Sequence, residues 1–208
     1  RNADKPANIR EEDSETPWLT SEAIKFIDQA TGPWCAHVSY IKPHWPYIVP
    51  APYHAMYGPE HVPDPCRSAV ELDNPQPVFN AYTKNAVAHA FQRDEVRKKV
   101  IPAYMGLIKQ CDDQLGRLLD HLEATDQMKD TMIVLTSDHG DYLGDHWLGE
   151  KELFHDPSVK VPLIIYDPRQ QADSTRGTTC KALVESIDLA ATFVEAAGGT
   201  VPDHILEG

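Results

Sequence analysis

The stretch Thr131-Met-Ile-Val-Leu-Thr-Ser-Asp-His-Gly140, with its continuation to Lys151, decides how this chain is read. Met132 to Thr136 is a short apolar, partly β-branched run, the composition of a strand buried on both faces. It ends in Ser137-Asp138-His139-Gly140, where a carboxylate stands beside an imidazole and a glycine frees the backbone to turn. In open α/β sheets ligands bind beyond the carboxyl ends of the strands, which is where these residues would lie. Asp138 with His139 suits a divalent ion that accepts oxygen and nitrogen ligands. On spacing alone the same residues also fit a polar turn in which Asp138 caps something local.

Working outward, Val161 to Tyr166 is a second apolar run, read as a buried strand whose proline stands at its start or on an edge. Residues 167–177 form a polar loop, Cys180 to Val184 a short strand, and Ser186 or Asp188 caps a helix to Ala197 that Gly198-Gly199 ends. Upstream, Asp94 to about Thr125 is helical, with Tyr104, Ile108, Cys111, Leu115, Leu118, Leu119 and Leu122 as one apolar stripe. Pro102 marks a start or a kink there, since it lacks an amide donor. Asp112 and Asp113 diverge on a helix and read as a solvated or hydrogen-bonding face rather than a carboxylate dyad.

Nearer the N-terminus, residues 1–17 read as a polar approach segment, and Thr20 as the N-cap of a helix from Ser21 to about Ala30. Trp34 to Tyr40 follows as a strand. It leads into Ile41-Lys42-Pro43-His44-Trp45-Pro46-Tyr47, where two prolines favour an extended path that points Lys42 and His44 to one side. A lysine and a histidine so placed could cradle an oxyanion and supply a proton to a leaving group. They fit equally a proline-rich loop that packs Trp45 and Tyr47 and leaves both polar residues solvated. Residues 48–85 read as a long covering loop with a short helix near 52–57.

Composition narrows the class. A chain of 208 residues can bury a core of its own, and it contains no apolar run long enough to span a bilayer. The net charge of −13 argues against nucleic acid and against an anionic membrane as partner. An anionic substrate would therefore need local positive charge from a metal ion, lysine or histidine. Cys35, Cys66, Cys111 and Cys180 are scattered without zinc spacing, which points to a reduced, cytoplasmic setting and leaves a periplasmic or secreted one open.

Thr136-Ser-Asp-His-Gly-Asp-Tyr-Leu-Gly-Asp-His-Trp-Leu-Gly-Glu-Lys151, then Asp156-Pro-Ser-Val-Lys-Val-Pro-Leu-Ile-Ile165, resembles the sulfatase branch of the alkaline phosphatase superfamily. Within that branch it is most similar to phosphonate monoester hydrolases, and the Lys42-Pro-His-Trp-Pro-Tyr47 segment resembles the family's second signature. The resemblance implies an α/β fold with a mixed, largely parallel sheet flanked by helices. Residues 1–208 would be the central-to-late part of the catalytic domain.

The implied site has Asp138 and His139 as metal ligands and His44 and Lys151 as catalytic groups, with Lys42, His44 and Lys151 binding substrate. His146 and His155 would sit on the substrate side or behind the ligands. The implied cofactor is one divalent ion, manganese or calcium ahead of zinc or magnesium. The substrate is a small sulfate, phosphonate or phosphodiester ester, and a homo-oligomer is compatible with the pattern.

One departure stands out. The family nucleophile is a formylglycine made from a Cys/Ser-x-Pro-x-Arg motif, and Cys66 is followed by Arg-Ser-Ala instead. The chain is therefore expected to be part of a longer enzyme, inactive by itself, ending at Leu206-Glu-Gly208. Two readings compete with the single-metal hydrolase: a two-metal phosphatase or phosphodiesterase, and a catalytically empty relative that binds anions.

Overall fold

A computed structural model describes residues 3–202, so Leu206 to Gly208 lie outside the described residues. The chain divides into two compact units, residues 1–166 and 167–208.

The first unit is built on two helices. Helix α1 spans Glu15–Gln29 and α4 spans Asp94–Ala124; between them come the short helices α2 (Pro77–Thr83) and α3 (Ala86–Phe91). Helix α1 starts six residues before the expected Ser21, and Ser14 precedes it as N-cap. Pro17 is no obstacle, because the amides of a first turn have no intrahelical acceptor. Thr20 is thus a buried helical residue, its hydroxyl bonded to the Thr16 carbonyl at 3.1 Å and the Tyr40 hydroxyl at 2.6 Å.

Helix α4 has close to the expected bounds and runs through Pro102. Its buried face differs from the expected stripe. Ala103, Leu107, Gln110 and Gln114 point inward, while Ile108 is exposed. The glutamines tolerate burial because their amides bond to the segment entering α1: Gln110 to Ser14 at 2.9 Å and Gln114 to Glu11 at 3.2 Å. Gly106 lets the Tyr53 carbonyl approach, since a Cβ there would stand 2.6 Å from that oxygen. Val49, Tyr53, Ala103 and Leu107 form one core cluster, with Tyr47 against it. Asp113 accepts from Tyr53 at 3.0 Å and pairs with Lys109, as a hydrogen-bonding face should.

Strands β1 (Ile133–Thr136) and β2 (Leu163–Tyr166) pair antiparallel, with Val134 opposite Ile165 and Leu135 opposite Ile164. Among the described residues this is the whole sheet. Two expectations fail here. Strand β1 is not buried on both faces: Leu135 is exposed, as are Ile164 and Ile165 of β2. Trp34 to Tyr40 forms no strand, since no described strand lies alongside to satisfy its backbone. Residues 48–85 hold the expected short helix as a 3-10 turn at Tyr53–Ala55, and two further 3-10 turns and α2 interrupt the expected loop.

The second unit holds a 3-10 turn at Gln170–Thr175 and helix α5 at Ser186–Ala196. Asp188 accepts from the Glu185 amide at 2.8 Å, and Gly198, at φ 81°, closes the far end by donating to Glu195. The Arg169 guanidinium beside Asp167 holds that carboxyl down at about 2. Cys180 to Val184 forms no strand, and Leu183 is fully exposed.

Candidate active site

The site lies in the first unit, where three loops meet. The first loop follows β1. Asp138 Oδ1 accepts from the His139 amide at 2.9 Å, and its Oδ2 stands 3.5 Å from His139 Nε2. His139 Nδ1 contacts the Gly140 carbonyl at 2.8 Å; a carbonyl only accepts, so Nδ1 carries the proton and Nε2 keeps its lone pair. Two donor atoms so placed fit adjacent ligands of one ion, because bonds of about 2.0–2.2 Å span roughly 3–3.5 Å between neighbouring donors. Gly140 is required by a close approach rather than by its dihedrals. A Cβ there would stand 2.0 Å from the Pro157 carbonyl, and the Gly140 amide donates to Ser158 at 2.7 Å.

The second loop carries His44. It is a tight turn, not the extended path expected from its prolines: the His44 amide donates to the Ile41 carbonyl at 3.1 Å. Lys42 consequently folds back, and its ammonium donates to the His44 and Pro46 carbonyls at 3.3 and 3.2 Å. Burial pushes the Lys42 amine downward in pKa, with Glu15 opposing. His44 Nδ1 donates to the Trp45 carbonyl at 2.9 Å, leaving Nε2 to accept a hydrogen bond.

The third loop brings Lys151. Its ammonium donates to His44 Nε2 at 3.0 Å across 107 positions of sequence. The His44 ring also stands edge-on to His139, with centroids 6.0 Å apart. His44, Lys151, Asp138 and His139 thus form one constellation. Lys42 joins it only through the loop it braces.

His146 and His155 form a separate cluster. Their rings stack at 4.3 Å, His146 Nδ1 donates to Glu71 at 2.7 Å, and the Tyr142 hydroxyl bonds His155 Nδ1 at 2.8 Å. Burial and the neighbouring His146 push the His155 imidazole below its ordinary value.

Sequence reading missed Asp141. One of its oxygens accepts from the Tyr47 hydroxyl at 2.7 Å, the other from the Leu143 and Glu150 amides at 3.1 and 3.2 Å. Burial pushes the Asp141 carboxyl up in pKa while these donors pull it down. Burial, then Asp141, pushes the Tyr47 hydroxyl far above its ordinary range, so it stays a donor; burial and Asp141 likewise raise Tyr104 to about 12. The available signal was the position itself, a carboxylate two residues past His139 in a motif already singled out.

The chain is 35% identical over 96% of its length to the multifunctional alkaline phosphatase superfamily protein PehA of Trinickia caryophylli. It is 28% identical over 97% of its length to an arylsulfatase of Clostridium perfringens. These matches cover 41% and 42% of the relatives, so the chain spans about two fifths of their length. Among solved structures, the phosphonate monoester hydrolase of Silicibacter pomeroyi superposes with TM-score 0.87 at 34% identity, over 97% of this chain and 41% of that one. The corresponding enzyme of Agrobacterium radiobacter gives 0.84 at 28%, over 99% and 44%. The alkaline phosphatase-like fold of these neighbours is therefore the fold of this chain, of which the two-stranded sheet is one part. The Sulfatase family profile matches residues 2–199, nearly the whole chain, and with the Ser-Asp-His-Gly loop, the His44 turn and Lys151 brought to one place, the chain belongs to the sulfatase family.

Proposed function

We propose that this chain supplies the metal-binding and leaving-group side of a hydrolase acting on small sulfate, phosphonate or phosphodiester esters. The observation that carries the reading is the 3.0 Å contact between Lys151 Nζ and His44 Nε2, edge-on to His139 and so beside the Asp138–His139 donor pair. Asp138 and His139 would hold one divalent ion, manganese ahead of calcium because an imidazole nitrogen suits a softer ion than calcium, whose ligands are oxygens. When bound, that ion polarises the sulfuryl or phosphoryl oxygens. The nucleophile, a formylglycine by family resemblance, comes from outside residues 1–208.

The chain's own residues do the rest. The Lys151 ammonium offsets negative charge as it develops on the ester oxygens. His44 is oriented by Trp45 through Nδ1. Its Nε2 takes a proton from the Lys151 ammonium, which is left as the neutral amine. It passes that proton to the leaving oxygen once the oxygen takes the place of Lys151 at that nitrogen. Lys42 keeps the turn closed by holding the His44 and Pro46 carbonyls.

The test is made on the full-length protein. Asp138→Ala should lose its bound ion by metal analysis, with kcat/KM lower by about 10³-fold or more. His44→Ala should lose about 10²-fold on esters with poor leaving groups and little on those with good ones. Unchanged ion content would remove the metal assignment, and equal losses across leaving groups would reduce His44 to an anion-binding group. Absence of ester hydrolysis by the full-length wild-type protein would leave the reading of a catalytically empty, anion-binding relative.

A further inference from the structure

Asp141 touches neither His44 nor Lys151, yet it meets the backbone that carries each. Its Oδ2 takes the Tyr47 hydroxyl at 2.7 Å, and Tyr47 ends the turn that presents His44. Its Oδ1 takes the Glu150 amide at 3.2 Å, and Glu150 is bonded directly to Lys151. The same oxygen takes the Leu143 amide at 3.1 Å, fixing the loop that follows the Asp138–His139 pair. One half-buried carboxylate is therefore shared among all three loops of the constellation.

The Lys151 end needs such a hold. Glu150 sits at φ 62°, a left-handed conformation that a non-glycine residue keeps only where its surroundings impose it. The imposing bonds are the Glu150 amide to Asp141, the Tyr142 amide to the Glu150 carbonyl at 2.8 Å, and the Ser158 hydroxyl to the Lys151 carbonyl at 2.6 Å. At the other end the Tyr47 ring already packs edge-on against Phe91 and Tyr104, at 6.0 and 6.1 Å between centroids. Ring packing places Tyr47 in the core; its hydroxyl adds the hydrogen bond that ties the His44 turn to Asp141 in the loop after β1.

We propose that Asp141 is the positioning residue that sets the distance between His44 and Lys151, acting through the Tyr47 hydroxyl on one side and the Glu150 amide on the other. The proposal rests on the reading of His44 and Lys151 as the leaving-group pair. A carboxylate suits the task because three donors from two directions need two acceptor oxygens with several lone pairs. Misplacing a reacting group by about 1 Å can cost some 10²-fold in rate, so loss of this link should show in kcat before it shows in KM.

The test is a mutant cycle in the full-length enzyme. Tyr47→Phe keeps the ring and removes only the hydroxyl. It should lower kcat on poor leaving groups about 10-fold, leave KM within about threefold, and lower kcat no further in a His44→Ala background, because interacting residues are not additive. Asp141→Ala should lose about 10²-fold, and Asp141→Asn, which keeps an oxygen for the two amides, should recover about 10-fold of that. The cycle stands on Tyr47→Phe should Asp141→Ala fail to fold. If Tyr47→Phe costs the same factor with and without His44, its effect is general destabilisation and the positioning role is overturned while the leaving-group pair survives. If His44→Ala leaves kcat untouched, the functional reading falls, and this inference with it.

Discussion

The loops after β1 and the sheet that carries them are held in opposite ways. Residues 138–158 are stitched by polar bonds: Asp141 to three donors, Ser158 to Lys151, and Arg97 of α4 to the Leu143 carbonyl at 3.1 Å and the Pro63 carbonyl at 2.8 Å. Arg67 adds a face-on contact with Trp147 at 4.4 Å and a bond to Asp94 at 3.0 Å. Their apolar support, Ala88, Tyr142 and Leu148, is fully buried. Strands β1 and β2 have regular pairing, yet Ile164 is 61% exposed and Ile165 47%, one on each face of the sheet. Regular secondary structure is thus no measure of how firmly a region is held. The site's geometry comes from donors and acceptors reaching it from α4 and the His44 turn, with little from burial of the sheet.

The largest stability effect should come from the stitched side. Arg97→Met removes a nearly buried guanidinium and leaves two part-buried carbonyls without their donor, which should cost about 2–4 kcal/mol in chemical denaturation. A cost below about 1 kcal/mol would mean that water replaces the donor and that the polar stitching matters little.

On the open side, Ile164→Lys in the isolated 208-residue chain should change stability by no more than about 0.5 kcal/mol, because it buries no new charge. It should also reduce self-association in analytical ultracentrifugation, since charge on an exposed strand discourages edge and face pairing. A loss of several kcal/mol would break the contrast, showing that this face is covered in solution.

The smallest effect is a pH dependence within the stitched side. His155 has its native pKa below the ordinary 6.5 through burial and the stacked His146. The unfolded chain therefore binds the proton more readily. His155 contributes its full stability above pH 6.5 and loses it as pH falls from there through the lowered native value. His155→Gln should make the drop in Tm between pH 7 and pH 5 smaller by about 1–2 °C. A larger drop in the variant would reverse the sign and mean that Glu71 governs the pair.

The residues proposed for the chemistry are legible from motif order, and the structure brings them together. Asp138-His139, His44 and Lys151 stand in recognisable local patterns, and local patterns survive in sequence because they are set by neighbours in the chain. The same holds for α4 and for the β1 and β2 runs, whose periods and lengths are local properties. Burial was less legible. Gln110 and Gln114 face inward because Glu11 and Ser14, nearly a hundred positions away, accept their hydrogen bonds. Ile164 and Ile165 look like core residues by type, yet what covers an apolar residue is decided by other parts of the chain.

By itself, then, the sequence determined the family, the places of α4, β1 and β2, and the residue types proposed to bind a metal ion and move a proton. Tertiary structure alone decided which of those groups meet. It turned Lys42 back on its own loop, sent His146 and His155 to a stack with Glu71, and gave Asp141 a place among three loops. The physical reason is that a hydrogen bond depends on distance and direction between atoms. Residues 47, 141 and 150 acquire both only when the chain has folded.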